Sequence, residues 1–134
     1  MPSLDVHLAA ARSNLDLMTY LRTHRLATDA GWVAVIAFYS ALHVVEAIFA
    51  SLRLAGIEHT STHYERRNVL RNVRSYQKLW QHYRPLYDAA SDARYLEAGE
   101  AFHLTPTQVE SIVIDHHLKE ILAFAQRHAS ITLP

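Results

Sequence analysis

The stretch from Gly31 to Ile57, GWVAVIAFYSALHVVEAIFASLRLAGI, is the longest apolar segment of the chain and limits what the rest can build around it. Within it, Tyr39, His43 and Glu46 follow one another at steps of four and three. That spacing puts three side chains on one face of a helix. Asp29 precedes the segment as the expected N-cap, and Gly56 follows as the expected stop. The segment reads as the central helix of a bundle that holds something polar inside. It also approaches the length of a membrane span. A histidine and a glutamate at mid-span would be costly in hydrocarbon, so a core helix and no membrane partner are expected.

The flanking sequence fits the same plan. Leu4, Leu8, Ala11, Leu15, Met18 and Leu21 or Arg22 mark a first helix over residues 4–25, and a polar link over 23–29 joins it to the central one. After a loop over 57–61, Thr62-His63-Tyr64-Glu65 fits a capping box. Val69, Val73, Tyr76, Trp80, Tyr83 and Tyr87 then form an apolar stripe, with Arg67, Arg71, Arg74 and Lys78 on the opposite side. Pro85 should kink or break this helix, and the pattern resumes towards Gly99. Thr105-Pro106-Thr107-Gln108 is the strongest helix-start signal in the chain. Val109, Ile112, Val113, Leu118, Ile121, Leu122 and Ala125 supply the face of the last helix, and the tail from Ser130 should fray. The expectation is an all-α, antiparallel four- to five-helix bundle in one domain spanning residues 1–134.

Composition narrows the chemistry. The chain has 134 residues, half of them hydrophobic, no cysteine, and a formal net charge of zero. Thiolate chemistry and disulfides are therefore excluded. Residues 1–20 show no signal-peptide pattern, and a cytoplasmic location is expected. Charge is separated along the chain. From His59 to Arg84 there are six Lys or Arg and one acid, whereas from Pro85 to Glu120 there are seven acids against Arg94 and Lys119. The Arg67, Arg71, Arg74 and Lys78 stripe is the candidate nucleic-acid-binding surface. Its alternative readings are a solvated face or a surface that meets an acidic partner.

Four short pieces carry a family resemblance: Phe38-Tyr39-Ser40-Ala41-Leu42-His43-Val44-Val45-Glu46-Ala47, the Leu54-Ala55-Gly56-Ile57 exit, Ser61-Thr62-His63, and Ala93-Arg94-Tyr95 before the loop into the last helix. In this order they resemble the HEPN superfamily of small prokaryotic helical bundles, over a core of about residues 32–125. The resemblance implies a bundle that often dimerises and acts on or binds RNA. Many such proteins are ribonuclease toxins of toxin–antitoxin or defence systems, paired with a nucleotidyltransferase-like antitoxin. It therefore implies a homodimer, an RNA partner and an antitoxin partner, with no cofactor. The family's catalytic signature is an Arg followed by a polar residue, with a His four to six residues on. Here Arg94 is followed by Tyr95, and eight residues separate it from His103, so the motif is degenerate.

Three candidate sites follow. Arg94 with His103 or His63 would supply the cation and the acid–base group that metal-independent RNA cleavage needs; the alternative for Arg94 is an ion pair with Glu46 or Asp92. Tyr39, His43, Glu46 and Tyr95 would form a structural polar network in which Glu46 orients His43 or pairs with Arg94. For metals, His43-x-x-Glu46 and His117-x-x-Glu120 each put two ligands on one helix face, and His59 with His63 would suit zinc or nickel. Scattered histidines are more often hydrogen-bonded or solvated, and no metal is assigned. Tyr76, Trp80, Tyr83 and Tyr87 read as core or interface aromatics rather than as a base-stacking platform. The competing overall reading is a non-catalytic interaction module.

Overall fold

The computed structural model describes residues 3–94 and 102–133. Five helices carry these residues, and no strand occurs among them. α1, Leu4–His24, starts at Ser3, whose Oγ accepts from the Val6 amide. Its buried face is His7, Ala11, Leu15 and Met18. α2, Leu26–Leu52, follows after one break at Arg25 and is kinked at Asp29 (φ −125°, ψ 36°). The polar link expected over 23–29 is therefore a helix end, a single joint and a distorted first turn. Asp29, expected as an N-cap, sits at the kink and takes the Arg25 guanidinium at 2.7 Å.

α1 folds back along α2, and α4 and α5 cover its other sides. α2 is long and apolar enough to cross a membrane, yet 78% of its most apolar window is buried within the bundle. Its helix ends at Leu52, a turn before the expected stop. Arg53 (φ 52°), Ala55 (φ 54°) and Gly56 (φ 74°) all lie in the left-handed region. Glycine alone enters that region freely, and the other two carry a strain of roughly 1–2 kcal/mol each. This reversal sends the loop back over α2, which brings His59 and Thr60 onto Glu46.

α3, His63–Asn72, begins at Thr62, whose Oγ1 accepts from the Glu65 amide at 3.1 Å. The Glu65 carboxylate reaches back to the Ser61 amide rather than to Thr62, so the reciprocal contact closes one residue outward. The single long helix expected after this point is broken at Val73 (φ −83°, ψ 112°). A 3-10 turn, Arg74–Tyr76, leads into α4, Gln77–Arg94. Pro85 lies inside α4 and does not end it. An interior proline costs about 3 kcal/mol; the full burial of Tyr83 and Leu86 on either side holds the helix together. Because helical phase restarts after Val73, α3 buries Arg66 and Leu70, while α4 buries Leu79, Tyr83, Leu86 and Ala90. The expected stripe is thus carried by two helices and the turn between them: Tyr76 and Tyr83 are buried, and Val69, Val73, Trp80 and Tyr87 pack against the core.

α5 spans residues 106–129 without interruption but changes winding. The expected start is present in full: Thr105 and Gln108 cap each other reciprocally, with Pro106 at the first turn. Val109–Leu118 is wound as a π-helix, and Lys119–Ala129 returns to α. The wider π turn puts residues five apart on one side, so Val109 pairs with Ile114 and Val113 with Leu118 on the buried face. Ile112, expected in the core, is 41% exposed, and Ile114 takes its place. The tail does not fray at once: Ser130 turns left-handed (φ 55°), the Ile131 amide donates back to the Ala125 carbonyl, and the Ile131 side chain is buried.

Candidate functional site

The centre of the bundle holds a carboxylate. The Glu46 side chain is 1% exposed. Its Oε1 accepts from Arg66 Nε at 2.9 Å and from the Thr60 hydroxyl in a very short contact. Its Oε2 accepts from the Thr60 amide at 3.0 Å and faces His59 Nδ1 at 3.2 Å. A carboxylate has about four acceptor positions, and all are used. The buried charge is thus matched by a guanidinium that is itself 7% exposed, the condition under which a buried ion pair is tolerated.

A chain of imidazoles leads outward from it. His59 Nδ1 must carry a proton to serve Glu46. His7 Nε2 lies 3.3 Å from that nitrogen, and His7 Nδ1 lies 3.1 Å from His43 Nδ1. With the one His59 Nδ1 proton shared between Glu46 and His7 Nε2, His7 accepts on Nε2 and donates through Nδ1 to His43. Burial pushes the His7 imidazole below its ordinary range, as it does His43, where the Arg66 charge adds to the effect. Both are neutral links rather than cations near neutral pH.

On its other side Arg66 donates from Nη1 to His63 Nδ1 at 3.1 Å. A guanidinium only donates, so Nδ1 of His63 accepts and its proton sits on Nε2. Burial, then Arg66, Arg94 and Arg67, hold this imidazole below its usual range. Its ring packs between Phe38 and Tyr87. Arg94 reaches across from α4 and donates to the Tyr39 hydroxyl at 2.6 Å.

Tyr87 forms a wall shared with a surface cleft of about 350 Å³ lined by Arg67, Arg71, Arg84, Trp80, Tyr87 and Asp88. The Arg67 guanidinium lies 5.2 Å above the Tyr87 ring, and that of Arg71 lies 5.9 Å above Trp80. Arg67 Nε is buried with no hydrogen-bond partner among the described residues.

The structure therefore gathers His43, Glu46, His63 and Arg66 into one seam and sets Arg94 and Tyr39 beside it, but it corrects the expected partners. Glu46 pairs with Arg66, not with Arg94, and it touches His59 rather than orienting His43. His103 is 72% exposed and takes Asp92 at 2.9 Å, whereas Arg94 donates to Tyr39. The four-residue basic stripe is also divided. Arg67 and Arg71 line the cleft, whereas Arg74 and Lys78 line a groove with Leu52, Leu54, Phe124 and His128. Tyr95 lies outside the described residues. Of the aromatics, Tyr76 and Tyr83 are core; burial raises the Tyr76 phenol to about 12.

Sequence reasoning missed His7, Thr60 and Arg66. His7 stands four residues before Ala11 in the buried stripe of α1, and Arg66 four before Leu70 in that of α3. A charged or polar residue in phase with an apolar stripe is the signal that finds both. Comparison with family models, with curated proteins and with solved structures returned no match for this chain.

Proposed function

We propose that this chain is a HEPN-like, RNA-associated module that binds the RNA backbone without needing to cleave it. The observation that carries this reading is the Arg67, Arg71 and Arg84 cleft, which shares its Tyr87 wall with His63. Three guanidiniums on one small opening suit phosphate, and Trp80 and Tyr87 supply ring faces beneath two of them. His63 packs edge-on against the Tyr87 ring. Of the residues that carry the resemblance, Glu46 and His63 both touch Arg66, and Arg94 touches Tyr39.

Binding is favoured over cleavage for two reasons. His63 holds its accepting nitrogen against Arg66, so its outer nitrogen is a donor and not a general base. Arg94 and His103, the spacing-based catalytic pair, are each engaged with another side chain, Tyr39 and Asp92 respectively. The test measures binding of a short single-stranded RNA by fluorescence anisotropy between 50 and 200 mM salt, with the RNA then run on a gel in EDTA. Wild type should bind in a salt-dependent manner and leave the RNA intact. Arg67→Glu/Arg71→Glu should lose about tenfold or more and flatten the salt slope. Salt-independent or absent binding overturns the reading. Cleavage in EDTA that disappears in Arg94→Ala replaces it with a ribonuclease.

A further inference from the structure

We propose that His82, His116 and His117 form a binding site for one Zn²⁺-class divalent ion that bridges α4 and α5. The inference is independent of the RNA reading and uses none of its residues. One ligand nitrogen from each of the three side chains lies within 4.8 Å of the others. His82 Nδ1 and His117 Nδ1 are already 3.1 Å apart. A tetrahedral zinc bonded at about 2.0–2.1 Å to nitrogen holds its ligands roughly 3.3–3.4 Å apart, so this pair spans one edge of such a site. The His116 ring stands 5.3 Å from that of His82 and 4.6 Å from that of His117, within reach by a rotation about its own side-chain bonds.

The fold explains how consecutive histidines come to share a target. In an α-helix neighbouring side chains diverge by 100°, which spreads His116 and His117 apart. Both lie near the end of the π-wound Val109–Leu118 segment, where the wider turn reduces that divergence. Such windings are uncommon and recur at functional sites. His82 then approaches from α4, two residues after Trp80 and three before Pro85.

The donor set selects the metal class. Three imidazole nitrogens suit zinc, nickel or copper and not magnesium or calcium, which prefer oxygen. Three protein ligands leave a fourth position for water, the pattern of an open site. Glu120, which lines the same recess as His82, offers a nearby negative charge. The other cluster of three potential ligands, His7, Glu46 and His59, lacks this openness: the Glu46 acceptor positions are filled, and the Arg66 charge stands against the carboxylate.

Equilibrium dialysis of the untagged full chain against Zn²⁺ at pH 7.5 tests the site. One zinc per chain is expected, with affinity lowered roughly tenfold or more by His82→Ala or His117→Ala, and a smaller loss in His116→Ala. His103→Ala and His59→Gln should bind as wild type does. Circular dichroism checks each variant, and His82→Gln and His117→Gln replace any alanine variant that fails to fold. Cobalt titration gives a second readout: intense visible bands from a tetrahedral centre should appear in wild type and be lost with His117. Absence of stoichiometric zinc overturns the proposal. So does zinc binding that the three substitutions leave unchanged, or that His59→Gln abolishes.

Discussion

Among the described residues two clusters of three metal-capable side chains occur, and they differ in what surrounds them. The His7, Glu46 and His59 group is enclosed between α1, α2 and the returning loop, and every acceptor position of its carboxylate is filled. The His82, His116 and His117 group straddles α4 and α5 near the surface and contains no charge of its own. The first contains a carboxylate whose burial requires a guanidinium partner, so its chemistry is spent on holding the fold. The second holds no carboxylate, and its one hydrogen bond runs between two of its own imidazoles, His82 and His117. Similar ligand atoms at similar distances thus do different things, according to whether the protein has already satisfied them.

The largest effect should come from unpairing the buried charge. Glu46→Ala leaves Arg66 buried without its anion and should cost about 3–5 kcal/mol in urea denaturation. The double replacement Glu46→Leu/Arg66→Met removes both charges and should recover most of that loss; a double variant as unstable as the single one would mean that the network contributes through shape and not through charge. A middle-sized effect concerns pH. His7 and His43 sit below the ordinary value of 6.5 mainly through burial, among Glu46, His59 and Arg66. The unfolded chain therefore binds more protons just below pH 6.5, so stability is full above that value and falls as pH drops through it. The fall levels off once the folded imidazoles titrate. His7→Gln/His43→Gln should flatten this acid limb between pH 7 and 5, although His82 and His117 contribute with the same sign. If the limb is unchanged, the buried imidazoles are not what separates the two clusters. The smallest effect belongs to the surface group: His116→Ala in EDTA should shift stability by less than about 0.5 kcal/mol, and a larger loss would show that this cluster, too, is structural.

Much of the architecture was legible in the chain. The Thr105-Pro106-Thr107-Gln108 signal gives the start of α5 to the residue, because a cap is a local contact between side chain and backbone. Thr62 likewise opens α3. The Gly31–Ile57 stretch is the core of α2, and its Glu46 is indeed a buried polar residue. The stripe from Val69 to Tyr87 faces the core as expected, with Tyr76 and Tyr83 buried and Val69, Val73, Trp80 and Tyr87 packed against it; period alone did not reveal the break at Val73 that divides it between two helices. Pro85 does not end α4, since its local cost is outweighed by the packing of its neighbours. In α5 the π winding moved Ile112 outward and Ile114 inward, a change of turn that no 3.6-residue pattern anticipates.

The sequence by itself determined the helical class, the starts of α1, α3 and α5, and which face of α2 is polar. These rest on interactions within a few residues, where spacing is geometry. Only the tertiary structure decided that Glu46 meets Arg66 and Thr60, that His7 joins the seam, and that His82 meets His116 and His117. Such pairs are separated by up to dozens of residues, and periodicity states which way a side chain faces but not what stands opposite it.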